Sequence, residues 1–141
     1  MTGHSIGEIA RASGVKVTTI RFYEQRGLLP APPRNAGNRR QYGYPDIARL
    51  QFIRHARDLG FALESVAALL LLSDDPTRPC AEVDAIASAQ LAEVDRRITQ
   101  LTALRGELAR MVRHCSGGTV AECRVIETLA DHAHCASSHA A

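Results

Sequence analysis

Three cysteines, Cys80, Cys115 and Cys123, are the residues of this chain best suited to carry chemistry. A thiolate is a soft ligand, so such a set selects zinc, cadmium, lead, mercury or monovalent copper over hard cations. Cys115 and Cys123 flank a segment containing Gly117-Gly118, and Cys80 lies 35 residues upstream of Cys115. His114, His132, His134 and Cys135 are near enough in sequence to complete a tetrahedral set of sulfur and nitrogen donors. A lone cysteine is more often a small buried hydrophobe than a ligand. Three of them, two bracketing a glycine loop, point to metal. The same thiols admit a redox reading, as an oxidisable set or as iron–sulfur ligands. No Ser-His-Asp order, phosphate loop or carboxylate pair stands out, and an enzyme is not expected.

A second constellation is cationic. Residues 1–60 hold ten Lys and Arg against four Asp and Glu, and residues 61–141 hold seven against eleven. The net charge of +2 therefore conceals a basic N-terminal part. Clustered cations of this kind neutralise phosphates. Within that part Thr18, Thr19, Arg21 and Tyr23 fall together, and Arg34, Arg39 and Arg40 follow among prolines and glycines. Hydroxyls and guanidinium forks suit phosphate oxygens and base edges.

Both sets need elements to hold them. Ser5, with Glu8 three residues on, reads as a capping box that opens a short helix, and Gly14 stops it. Val17-Thr18-Thr19 opens a second helix ending at Gly27, so the pair forms a helix-turn-helix. Pro30, Pro32 and Pro33 forbid a helix, and Gly37 and Gly43 mark turns, which predicts a short β-hairpin wing carrying the arginines. Pro45 starts another helix ending near Gly60, and Leu63 to Leu72 makes one more. In a winged helix-turn-helix the second helix enters the major groove.

From about 81 to 113 there is no proline and a single glycine, Gly106. Leu91, Val94, Ile98, Leu101, Leu108 and Val112 fall on heptad a/d positions, interrupted at Arg105. At 1.5 Å per residue this is a rod of about 48 Å. A rod with one apolar stripe needs something to pack on, and a second copy of the chain supplies it, in a parallel or antiparallel coiled coil. Cys80 and Cys115 stand at opposite ends of that rod. In an antiparallel dimer Cys80 of one chain would meet Cys115 and Cys123 of the other, which gives two symmetric sites. A short helix is expected from Arg124 to about His132.

No apolar run approaches the roughly 18 residues needed to cross a bilayer, and Met1–Ser5 leads straight into a helix signal. The expectation is a cytoplasmic protein without a membrane partner, in a compartment that keeps thiols reduced.

The stretches Thr19-Ile20-Arg21-Phe22-Tyr23-Glu24, Gly27-Leu28-Leu29, Arg40-Gln41-Tyr42 and 52–61 (FIRHARDLGF) resemble the MerR family of transcription regulators over nearly the whole chain to about Asp131. The resemblance adds Tyr42 to the expected DNA contacts. It implies a homodimer bound to double-stranded promoter DNA. Metal binding would twist and kink that DNA and realign the promoter elements for RNA polymerase, activating metal efflux or resistance genes. It also implies a divalent effector, since Cys80 and the residues Phe61-Ala62-Leu63-Glu64-Ser65 look like the zinc, cadmium and lead branch. Zinc ranks first, then cadmium or lead, then mercury. The expected architecture is mainly α. It comprises a winged helix-turn-helix domain over 1–75, a dimerisation helix forming a long antiparallel coiled coil over 80–114, and a metal-binding loop, short helix and tail over 115–141.

Overall fold

Ser5 caps the first helix, α1 (Ile6–Ser13), by accepting the Glu8 backbone N–H at 3.2 Å. Only this half of the expected capping box forms. The Glu8 carboxylate instead takes a hydrogen bond from His4 Nδ1 at 3.1 Å, four residues away on the same side of the chain. Gly14 ends α1 in the left-handed region at φ +74°, donating to the Ala10 carbonyl at 2.9 Å. A Cβ at that position would be strained by this φ and would also displace the tip of the Arg54 side chain, 2.1 Å away.

The computed structural model describes residues 3–115 and 117–131. They contain six α-helices and a single turn of 3-10 helix (Val120–Glu122), in two compact units, Met1–Ala87 and Ser88–Ala141. The first unit holds α1, α2 (Val17–Gln25), α3 (Tyr44–Asp58), α4 (Leu63–Ser73) and the first turns of α5 (Ala81–Arg113). Pro45 sits in the first turn of α3, where a missing N–H costs nothing, and the Gly43 N–H is satisfied by Asp46 Oδ2 at 2.8 Å. Helix α3 is the hub, packing against both α1 and α4, while α1 also packs against α2. Ile9, Ile20, Leu29, Leu50, Ile53 and Val66 fill the space between them and are almost wholly buried. Each such side chain contributes about 1.5–3 kcal/mol.

Three α3 arginines bind backbone carbonyls that helix ends and turns leave unpaired. Arg49 Nε donates to Leu28 at 2.7 Å, Arg54 Nη1 to Ser13 at 3.2 Å and Arg57 Nη1 to Phe61 at 2.7 Å.

The hairpin expected over the proline-rich stretch folds back on itself, but it forms isolated bridges in place of strands. Arg34 pairs with Arg40 and His4 with Tyr42. The tip is tied by side chain rather than by a ladder. Asn35 Oδ1 accepts the N–H groups of Gly37 and Arg39 at 2.9 and 3.0 Å, and Arg34 Nη1 reaches the Asn38 carbonyl at 2.9 Å. Asn38 takes the left-handed turn at φ 60°, which asparagine tolerates better than most residues. Pro32 and Pro33 have no N–H to give, which limits the ladder.

Helix α5 runs unbroken for 33 residues, about 50 Å. Leu91, Ile98, Leu101 and Leu108 on its stripe are 56–65% exposed. In the second unit the 3-10 turn is followed by α6 (Arg124–Ala130), and Glu107, Met111 and Thr128 are buried. Helix α6 stops at Ala130, with Asp131 extended at φ −134°, so it is shorter than the reach to His132 that its sequence predicted.

Candidate DNA-reading face and thiol site

Helix α2 presents its outer side between two clefts of the first unit. The larger, about 560 Å³, lies between α2 and the wing and is lined by Arg21, Glu24, Gln25, Arg34, Arg39 and Arg40, with Ser5 and Ile6 at the start of α1. Among the described residues the guanidinium groups of Arg21 and Arg39 carry no ion pair or hydrogen bond within the protein and point into solvent. Arg34 keeps one arm on the wing tip. Arg40 is held by Glu24 Oε2 at 3.1 Å. The cleft is therefore cationic at its rim and has one buried carboxylate at its base.

That carboxylate is the centre of a small network. Glu24 also accepts the Tyr42 hydroxyl, so the last turn of α2 is fastened to the wing through one side chain. Burial first, then the hydrogen bond to Glu24 and its charge, push the Tyr42 phenol up to about 12.

Thr18 is exposed and Thr19 half-buried on α2, both available to a ligand laid along that helix. Tyr23 and Tyr42, expected among the DNA contacts, are both largely buried. Tyr42 is 1% exposed with its hydroxyl committed to Glu24, and the Tyr23 ring packs in the core at 8% exposure. Sequence reasoning missed the second cleft, on the other side of α2. It is about 320 Å³, lined by Lys16, Thr19, Arg54, Arg57 and the edge of Tyr23. Lys16 at the N-terminus of α2 was visible as a cation, but Arg54 and Arg57 come from α3 and only folding brings them there.

The thiol set lies at the ends of α5. Cys80 immediately precedes its first residue and its carbonyl accepts the Asp84 N–H at 2.9 Å; its side chain is exposed. Cys115 follows the last turn, its N–H on the Val112 carbonyl at 3.1 Å. The loop returns the chain so that the Cys115 side chain lies near enough to Cys123 to act on its thiol. The neighbouring backbone N–H groups of Ile126 and Val125 at the start of α6, and then Cys115, hold the Cys123 thiol below the usual range. A lowered thiol is readied to bind as thiolate. His114 is exposed beside Cys115. Among the described residues of one chain no three such donors come together. His132, His134 and Cys135 lie outside the described residues.

No helix among the described residues is long and apolar enough to cross a membrane.

Comparison with known proteins gives the same outline. Residues 4–72 match the MerR HTH family regulatory proteins, and residues 47–111 match a family described as MerR, DNA binding. The transcriptional regulator HmrR of Sinorhizobium medicae (strain WSM419) is 40% identical over 126 residues, covering 89% of this chain and 86% of the relative. The structure of PbrR691 from Ralstonia metallidurans CH34 in complex with lead(II) superimposes with a TM-score of 0.78 at 39% identity, covering 89% of this chain and 98% of that one. A MerR from Bacillus megaterium MB1 in complex with mercury(II) gives 0.70 at 28% identity, over 91% and 100%. With its reading head, wing and long helix all inside these alignments, this chain belongs to the MerR family of helix-turn-helix transcription regulators.

Proposed function

We propose that this protein is a metal-responsive transcription regulator that binds promoter DNA as a homodimer and takes a soft divalent ion as its effector. The observation that carries the reading is the pair of free thiols, Cys115 and Cys123, brought near each other at the end of a helix whose apolar stripe is left uncovered. Two close sulfurs, one of them with a lowered proton affinity, form a donor set that fits a soft cation. Cys80 is the third ligand, contributed by the partner subunit once two α5 helices pair along Leu91, Val94, Ile98, Leu101 and Leu108. His114, His132 or Cys135 would close the coordination sphere. Zinc is the first candidate, followed by cadmium or lead and then mercury. The relatives solved with lead(II) and mercury(II) support a metal effector of this kind.

On the DNA side, α2 lies in the major groove, with Thr18, Thr19 and Arg21 toward the bases and phosphates. Arg34, Arg39 and Arg40 grip one backbone from the wing side. Lys16, with whatever donors Arg54 and Arg57 have left, grips the other. The ion acts by binding the DNA-distorting state better than the relaxed one, which is the only way a ligand can shift such an equilibrium. RNA polymerase is the partner that reads the distortion.

The test is to purify the protein reduced and metal-free, then titrate zinc, cadmium, lead and mercury against a competing chelator. Tight binding that Cys80→Ser abolishes supports the interfacial site and ranks the ions. No tight binding by any of the four overturns the metal reading and moves the thiols to the redox alternative, and anaerobic purification with a visible-absorbance scan would then show an iron–sulfur chromophore.

A further inference from the structure

One side chain in the first unit touches both the turn that follows the reading helix and the start of the link that carries Cys80. Arg49, in the second turn of α3, donates through Nε to the Leu28 carbonyl at 2.7 Å and through Nη1 to both oxygens of Asp74 at 3.1 and 3.2 Å. Leu28 lies in the turn three residues beyond the last residue of α2, Gln25, and is tied back to that helix. Its own N–H is bonded to the Tyr23 carbonyl at 2.9 Å and its side chain is buried. Asp74 caps the C-terminus of α4 and is the first residue of the link to Cys80.

That link is not slack. Asp75 donates its N–H to the Leu72 carbonyl at 3.1 Å, and its carboxylate takes both the backbone N–H and the hydroxyl of Thr77. The Arg78 N–H returns to the Asp75 carbonyl at 3.1 Å, and the Arg78 side chain grips Glu82 in α5. Pro76 and Pro79 remove most of the remaining freedom. A displacement of Cys80 therefore reaches Asp74 through a few short, restrained steps, and from Asp74 it reaches the turn that follows α2 through one planar guanidinium.

We propose that Arg49 is the positioning residue that couples the Cys80 link to the DNA-reading helix. It touches neither of the proposed ligands and acts only through Asp74 and Leu28. The proposal rests on the metal-responsive reading above for its biological meaning, but the coupling itself is a property of the first unit. Geometry makes the guanidinium necessary. Its nitrogens diverge in a rigid fork, so Nε can hold a carbonyl while Nη1 holds a carboxylate, whereas a lysine ammonium carries the same charge from a single point and reaches one acceptor or the other. Linkage makes the coupling reciprocal, so occupying DNA must tighten the link as surely as moving the link must alter α2.

The experiment uses the full-length protein and a duplex selected from a random-sequence pool by its binding to the wild type. Amide hydrogen exchange at Asp75, Thr77 and Arg78 is followed with and without that duplex in wild type, Arg49→Lys, Asp74→Asn and the double variant. The expected result is slower exchange at these amides when wild-type protein binds DNA, with the effect cut about tenfold in each variant. The double variant should be no worse than either single one, because the two residues act in series. Metal-free DNA affinity should stay within about threefold of wild type. Zinc affinity should not move, while the zinc-induced change in energy transfer between the duplex ends falls with the exchange effect. Unaltered coupling in Arg49→Lys and Asp74→Asn would overturn the proposal. So would a loss of metal-free DNA affinity as large as the loss of coupling, since Arg49 would then be a prop of the reading head. Asp74 is half-exposed at 54%, so Asp74→Asn keeps the test available if Arg49→Lys folds poorly. Wild-type protein that ignores all soft ions yet still transmits DNA binding to these amides would sink the metal reading and leave the coupling standing. Wild-type amides indifferent to DNA would sink the coupling whatever the metals do.

Discussion

The Tyr42 hydroxyl donates to the Glu24 carboxylate across 18 residues of sequence, tying the wing to the last turn of the reading helix. Glu24 is only 8% exposed and holds Arg40 with its other oxygen. The orientation of a wing cation is thus decided by a core residue on one side and a helix residue on the other.

Tyr42→Phe keeps the ring and removes the bond. A hydrogen bond to a charged group is worth about 1.5–3 kcal/mol, and a loss of that size is expected in urea unfolding near neutral pH. The alkaline limb should change too. The folded phenol titrates near 12 against an ordinary 10.0, so the native state holds its proton more tightly than the unfolded chain does. Its stabilisation is complete below the unfolded value and falls as pH rises from there through about 12. That part of the decline should be missing in Tyr42→Phe. An identical alkaline profile in both proteins would refute the assignment.

Arg21→Ala should weaken binding of the selected duplex by about 1–3 kcal/mol, with and without metal, and should flatten the salt dependence by about one unit of slope if the contact is to phosphate. Fluorescence anisotropy over a range of salt concentrations reads both quantities. An unchanged Kd would remove Arg21 from the contact set.

Ile98→Asp places a charge in the middle of the α5 stripe, where Ile98 is 56% exposed in the single chain. If two copies pair there, the variant should sediment as a monomer and lose part of its helical signal, because an isolated helix of this composition is marginal in water. A variant that remains dimeric would show that the seam lies elsewhere.

Cys80→Ser should abolish metal-induced transcription and leave promoter binding intact. Chelation of the wild-type protein should have the same effect and be reversed by zinc. Joint loss of response and DNA binding in the variant would assign the cysteine to the fold instead.

The helices were legible because punctuation and period agree. Ser5, Gly14, Gly27 and Pro45 mark ends that the structure reproduces within a residue or two, and the unbroken stretch from 81 to 113 is one helix. The approach of Cys115 to Cys123 was also readable, since a short glycine-containing loop returns the chain to its start. Three features were not. The wing makes bridges and no strands because its proline-rich arm cannot donate to a ladder and its tip is satisfied by Asn35. The Tyr23 and Tyr42 rings are buried, which a sequence motif does not reveal. The charge count treated all ten cations of residues 1–60 alike, whereas Arg49, Arg54 and Arg57 each give a donor to a backbone carbonyl.

Those three arginines also set how such a protein can diversify. A regulator adjusts its grip on DNA by gaining or shedding positive charge, and at Arg21 or Arg39 that exchange leaves the interior untouched. At Arg49, Arg54 and Arg57 the same exchange exposes a helix end or a turn, so the domain must lose stability before it loses affinity. The basic character of α3 is therefore bound to the stability of the fold, while the charges of Arg21 and Arg39 can change without disturbing it.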